Sequence, residues 1–109
     1  MLINYKFMEK LVRDKIPEII ISNWEDCEYY IASYKEYINK LVEKLIEESV
    51  ELSESTNIEE LKEEIADVLD VIDAICKINM IDVQELEKIR LEKKEKKWWF
   101  EKGIILTKY

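Results

Sequence analysis

A chain of 109 residues with 39% charged side chains and a net charge of −8 reads as one domain, residues 1–109, with a modest core and long solvated faces. The acidic balance excludes a nucleic-acid polymer as partner, because a phosphate backbone needs a basic surface; a free nucleotide stays open if metal ions neutralise its phosphates. One Gly and one Pro leave too little turn chemistry for an all-β fold, and the absence of His excludes Ser-His and Cys-His machinery.

In chain order, residues 1–9 are mixed and read as extended or poorly ordered. Asp14 is placed to cap a short helix, with Pro17 tolerated in its first turn, continuing through Glu18-Ile-Ile-Ile21. Ser22-Asn23 break it. A long helix is expected from about Asp26 to Glu54, its early stripe being Tyr30, Tyr34, Tyr37 and Leu41. Ser53–Asn57 is the turn. Asn57 followed by Glu60 is a variant capping box, and the helix it opens runs to about Ile78. Asp82 followed by Glu85 repeats the signature and opens a helix from about Val83 into Lys93–Lys97. Trp98-Trp-Phe100 and Gly103 end it, and Ile104-Ile-Leu106 reads as a short extended segment. Cys27 and Cys76 make no disulfide framework or zinc pattern; Cys76 lies on an apolar stripe and reads as a core residue. No signal-peptide segment and no apolar run of spanning length is found, so a cytoplasmic chain with no membrane partner is expected.

Three long helices with one apolar stripe each cannot bury all that surface in a thin monomer. An all-α helical bundle completed by a second copy is expected, with the tyrosines serving either that interface or the intrachain core.

Within this frame two acidic pairs stand out. Glu48 and Glu51 lie in Lys44-Leu-Ile-Glu-Glu-Ser-Val-Glu-Leu52. Glu64 and Asp67 lie in Glu63-Glu-Ile-Ala-Asp-Val-Leu-Asp-Val-Ile-Asp-Ala-Ile75. The i, i+3 spacing puts each pair on one side of a helix. Spacing alone is unspecific, since Glu25/Glu28, Glu51/Glu54, Glu60/Glu63 and Glu92/Glu95 share it. Direction separates them. At about 100° per residue, Glu48 falls at the edge of the stripe Ile38, Leu41, Val42, Leu45, Ile46 and Leu52. On the next helix the stripe is Leu61, Ile65, Val68, Leu69, Ile72, Ile75 and Cys76, flanked by Val71 and Ile78. Glu64 projects between Ile75 and Val71, and Asp67 between Ile78 and Ala74. A carboxylate in such a place is neutralised, paired with a base or bound to metal, and Lys44 is the one obvious local base. Two such helices face to face present four oxygen ligands to a hard divalent cation.

Three strings in order carry a resemblance: Lys10-Leu-Val-Arg-Asp-Lys-Ile-Pro-Glu-Ile-Ile20, the Glu-x-x-Glu segment Lys44–Leu52, and the Glu-x-x-Asp segment Glu63–Ile75. Together they resemble the MazG-like all-α nucleotide pyrophosphohydrolases, and within them the small phosphoribosyl-ATP pyrophosphohydrolase-like subgroup. The resemblance covers most of the chain. It implies a dimeric or higher-order helical bundle that hydrolyses the α–β phosphate bond of a nucleoside triphosphate to monophosphate and pyrophosphate, in nucleotide-pool house-cleaning. It implies Glu48, Glu51, Glu64 and Asp67 as Mg²⁺ ligands, with Mn²⁺ a possible substitute, and Glu48 or Glu47 as acceptor of the water's proton. Asp70 is a candidate outer contact. Lys10, Arg13 and Lys15 are the first candidates to meet the triphosphate, and Lys94, Lys97 and Lys102 the second. The chain departs from the subgroup in having Trp98-Trp99 before Phe100-Glu-Lys102, where small residues are expected. It also lacks the aromatic-His pair of the histidine-synthesis enzymes, which disfavours phosphoribosyl-ATP as substrate. A non-catalytic helical scaffold is the competing reading.

Overall fold

Two polar caps fix where the main helices begin. Ser33 is extended, at φ −65° and ψ 163°, and its hydroxyl accepts from the Glu36 backbone N–H. Asn57 Oδ1 accepts from the Glu60 N–H at 2.9 Å. Each satisfies a donor that the first helical turn leaves unpaired. A computed structural model describes residues 9–109; the expectation for the first residues lies almost wholly outside that range. Four helices follow in order: α1, Ile16–Ser22; α2, Tyr34–Ser53; α3, Ile58–Ile78; and α4, Val83–Lys97. No strand occurs among the described residues. The fold is all-α, and among the described residues no helix is long and apolar enough to cross a membrane.

The α2–α3 connection is short, so the two helices lie antiparallel and pack along their length. The Tyr34 hydroxyl donates to the Ile78 carbonyl at 3.3 Å, tying the start of α2 to the end of α3. Glu60 completes the cap of α3 from the other side. Its Oε2 accepts from both the backbone N–H and the hydroxyl of Thr56 at 3.0 Å, which holds the carboxyl below the usual range. The reciprocal half of the capping box is thus made one residue early. Asn57→Ala is expected to cost about 1 kcal/mol in a urea melt.

Several expectations need correction. Asp14 does not cap α1: Lys15 occupies the cap position without a side-chain bond, because a turn closed by Ile16 N–H to Arg13 O carries Asp14 past the helix end. The long helix starts at Tyr34, not near Asp26. Ser33-Tyr-Lys-Glu36 is itself a capping signature, and Tyr30 is drawn off the helical path, its one hydroxyl proton shared between the carboxylates of Glu36 at 3.0 Å and Glu9 at 3.2 Å. Tyr30 and Tyr34 are exposed, so no tyrosine stripe lines an intrachain core. Ile104–Leu106 forms no regular element. Cys76 is buried, as its place on the stripe implies.

Helix ends are made with little glycine. α1 and α3 each finish with an N–H bonded back to the carbonyl five residues earlier, Glu25 to Ile20 and Ile81 to Cys76. Trp24 and Met80 take the left-handed conformation this requires, at φ 62° and 53°. Trp98 ends α4 at φ 69°.

The face of α3 turned to α2 centres on Val71, with Val68, Ala74, Ile75 and Ile78 half-buried around it. Ile65, Leu69 and Ile72 point elsewhere and are exposed. The packed stripe is therefore rotated towards what sequence periodicity marks as its flank. Likewise α2 packs through Leu41, Leu45, Glu48 and Leu52, leaving Val42, Ile46 and Val50 exposed. Both helices have a second apolar edge, about 100–180° round from the packed one. Accessible surface totals 10388 Å², against about 6,400 Å² for a compact monomer of this mass.

The last helix and tail differ from the rest in charge. Residues 86–109 hold eight Lys/Arg against four Glu, whereas residues 1–85 hold nine against twenty-one Asp/Glu. Trp98, Trp99, Phe100, Ile104, Ile105 and Leu106 are all exposed there.

Candidate metal centre

The packing of α2 on α3 buries one acidic residue, Glu48, to 6% exposure. It sits on α2 between Leu41, Leu45 and Leu52, on the face that meets α3. Around it lie two groups of carboxylates, each with one oxygen per residue within 4.8 Å of the others. Glu47, Glu48 and Glu51 form one, all from α2. Glu48, Glu64 and Asp67 form the other, bridging α2 and α3. Glu48 belongs to both. The four carboxylates expected as metal ligands divide between these groups, Glu48 and Glu51 in one and Glu48, Glu64 and Asp67 in the other, and Glu47 belongs to the first.

The electrostatics are those of an acidic cluster short of cations. Lys44 Nζ is 3.2 Å from Glu48 Oε1 and 3.4 Å from Glu47 Oε1. The other oxygens are left over: Glu48 Oε2 and Glu64 Oε2 are buried with no hydrogen-bond partner. An unsatisfied buried acceptor costs about 1–3 kcal/mol, more when charged, so the arrangement is unfavourable as it stands. Crowding also shows in proton affinity. Burial, then the Glu48, Glu64 and Glu47 carboxylates, push Glu51 up to about 7. Burial, then Glu48 and Asp67, raise Glu64. Five carboxylates on two facing helices, two with orphaned oxygens, form an oxygen-only donor set of the kind a hard cation takes. The residues present fit a divalent ion.

A segment before α1 lies across this cluster. Arg13 Nη2 donates to Asp67 Oδ1 at 2.7 Å and Nη1 to Asp70 Oδ2 at 2.8 Å. The two carboxylates raise the guanidinium further above its ordinary value. Lys10 Nζ is 3.7 Å from Glu47 Oε1. Lys40 Nζ donates to the Glu9 carbonyl at 3.0 Å, and Tyr30 holds the Glu9 side chain. Lys10 and Arg13 are therefore at the cluster, while Lys15 stands at the N-cap of α1. Lys94, Lys97 and Lys102 make no ion pair with the cluster among the described residues. Lys94 instead lies 5.0 Å from the Trp99 ring centroid and 5.8 Å from that of Trp98. It borders a separate cavity of about 160 Å³ with Arg90 and Trp99.

The partners of Arg13 were not legible. Asp14 and Glu18 are its sequence neighbours, but the carboxylates it meets are 54 and 57 positions away. Asp70 turns out to anchor this arginine. The only sequence signal is the i, i+3 spacing of Asp67 and Asp70, which a single guanidinium fork can span. No model of a known protein family, no curated protein and no solved structure matches the chain.

Proposed function

We propose that the protein is a Mg²⁺-dependent nucleotide pyrophosphohydrolase, cleaving the α–β bond of a nucleoside triphosphate to monophosphate and pyrophosphate in the cytoplasm. The observation that carries a metal centre is the buried Glu48, with an unpartnered oxygen, shared by two carboxylate groups on facing helices. The choice of triphosphate rests on the motif order and on cations beside the cluster. Glu48, Glu51, Glu64 and Asp67 would hold Mg²⁺ or Mn²⁺, which would supply positive charge for the phosphate oxygens and acidify a bound water. Glu47 belongs to only one of the two groups and is flanked by Lys10 and Lys44. It is the better placed of the two candidates to accept a proton, because Glu48 is committed to both groups. Lys10 and Arg13 provide the positive charge that the phosphates of the substrate require.

The test is release of pyrophosphate from a panel of standard and modified nucleoside triphosphates, with Mg²⁺, Mn²⁺ or chelator. Metal-dependent release with a matching monophosphate is expected. Silence across the panel from protein that also ignores Mg²⁺ in a melt would favour the scaffold reading.

A second copy is part of the proposal. The excess surface and the exposed edges Val42/Ile46/Val50 and Ile65/Leu69/Ile72 suit an interface of standard size, about 800 Å² per partner. Ile46→Glu combined with Leu69→Glu is expected to halve the mass found by sedimentation. An unchanged assembly would place the interface elsewhere.

A further inference from the structure

We infer that Arg13 is a built-in counter-cation of the metal centre: it occupies Asp67, and triphosphate and metal bind together because the phosphates draw it away. This rests on the metal reading above. Arg13 spans Asp67 and Asp70 with both terminal nitrogens, at 2.7 and 2.8 Å, and Asp67 is one of the three carboxylates that bring α2 and α3 to a common point. The guanidinium thus sits beside the position a divalent ion would take. Two positive groups there repel, whichever Asp67 oxygen faces the ion.

The segment carrying Arg13 is held for this role. Glu9 is fixed by Lys40 and Tyr30, and Lys10 approaches Glu47, so residues 9–13 run as a strap from α2 to α3. The Arg13 end is the one that is cheap to release. Its side chain is 59% exposed, and those of Asp67 and Asp70 are 36% and 62% exposed. Exposed pairs of this kind contribute little to stability, so exchange of a carboxylate partner for a phosphate is accessible. A triphosphate offers the same planar fork a stronger, charge-assisted partner. Once Arg13 moves to the phosphates, Asp67 is freed for the metal, and the repulsion becomes a shared attraction to the anion between them. Metal and nucleotide affinities are then linked, each raising the other by the same factor.

The experiment is a Mn²⁺ titration of the full chain by electron paramagnetic resonance without nucleotide, together with steady-state kinetics. Arg13→Ala is expected to bind Mn²⁺ more tightly, on the order of tenfold, which is what a unit cation several ångströms from a divalent ion costs at water-like screening. The same variant is expected to raise KM for the triphosphate. Arg13→Lys, which keeps the charge, should leave Mn²⁺ affinity near wild type. Opposite signs for metal and nucleotide are the signature, since structural damage would weaken both. Weaker or unchanged Mn²⁺ binding in Arg13→Ala, alongside wild-type binding that Glu64→Gln abolishes, overturns the inference and leaves the metal centre standing. No Mn²⁺ binding by wild type or Arg13→Ala overturns both.

Discussion

Glu48→Gln is expected to abolish metal-dependent pyrophosphate release while leaving the metal-free protein folded and no less stable than wild type. Gln keeps the shape and removes the charge. Both carboxylate groups lose their common member, so neither retains three acidic side chains. Changing a residue that merely orients a ligand costs about 10–100-fold in affinity or activity, and losing the shared ligand should exceed that. The stability follows from crowding. Glu48 faces Glu51 and Glu64, whose proton affinities it raises, and one of its own oxygens is buried without a partner. Lys44 keeps Glu47 as its ion-pair partner in the variant. Substitution of an ordinary structural carboxylate would instead lower the melting temperature without a specific effect on turnover. Glu64→Gln and Asp67→Asn should behave like Glu48→Gln, and full activity in any of the three would remove that residue from the site. The readouts are pyrophosphate release and a thermal melt in chelator.

The second large effect is a reversal of pH dependence by metal. Glu51 titrates at about 7 when folded against an ordinary 4.5, and Glu64 is also raised. Between about pH 4.5 and 7 the folded chain therefore holds protons that the unfolded chain has released. Stability must fall as pH rises through that window and level off above it. The other shifted groups act outside this window. There is no His, Glu60 shifts downward and so acts below it, and Tyr30, pushed up to about 12, acts well above it. Under the proposed metal reading only the ionised carboxylates would bind Mg²⁺, so its stabilisation should grow over the same range. At a hundredfold excess over its dissociation constant it contributes about 2.7 kcal/mol. Urea melts at pH 5 and pH 8 should show the chelated protein weaker at pH 8. Excess Mg²⁺ should restore it at pH 8 and do little at pH 5. Equal stability at both pH values in chelator would mean that the carboxylates are not crowded in solution.

What the sequence made legible was local. Asn57 and Asp82 cap the helices their side chains announce, and α3 and α4 begin where expected. The i, i+3 acidic pairs follow from helical period alone, and facing carboxylates need only two adjacent helices. Illegible features depended on which of two choices the tertiary structure took. The Tyr29-Tyr-Ile31 run continues a helical pattern as well as an extended one, and Ser33 decides between them. Val71 and Ile72 are both apolar, and packing on α2 selects Val71 while Ile72 is left outside. Arg13 had no nearby clue at all, because its carboxylates reach it only when the strap lies across α2 and α3.

The split in charge along the chain sets how the molecule behaves in a mixture. A sequence pI near 4.7 describes an average over an acidic body and a basic, aromatic end. Retention on an anion exchanger is set by the body, yet a cation exchanger should also retain the protein at neutral pH and low salt, through the exposed lysines of α4 and the tail. Removing residues 98–109 would erase little of that second affinity, because six of the eight basic residues in this end precede Trp98. The protein is thus two-faced to ionic surfaces, and its orientation on any of them is chosen by the sign of the surface.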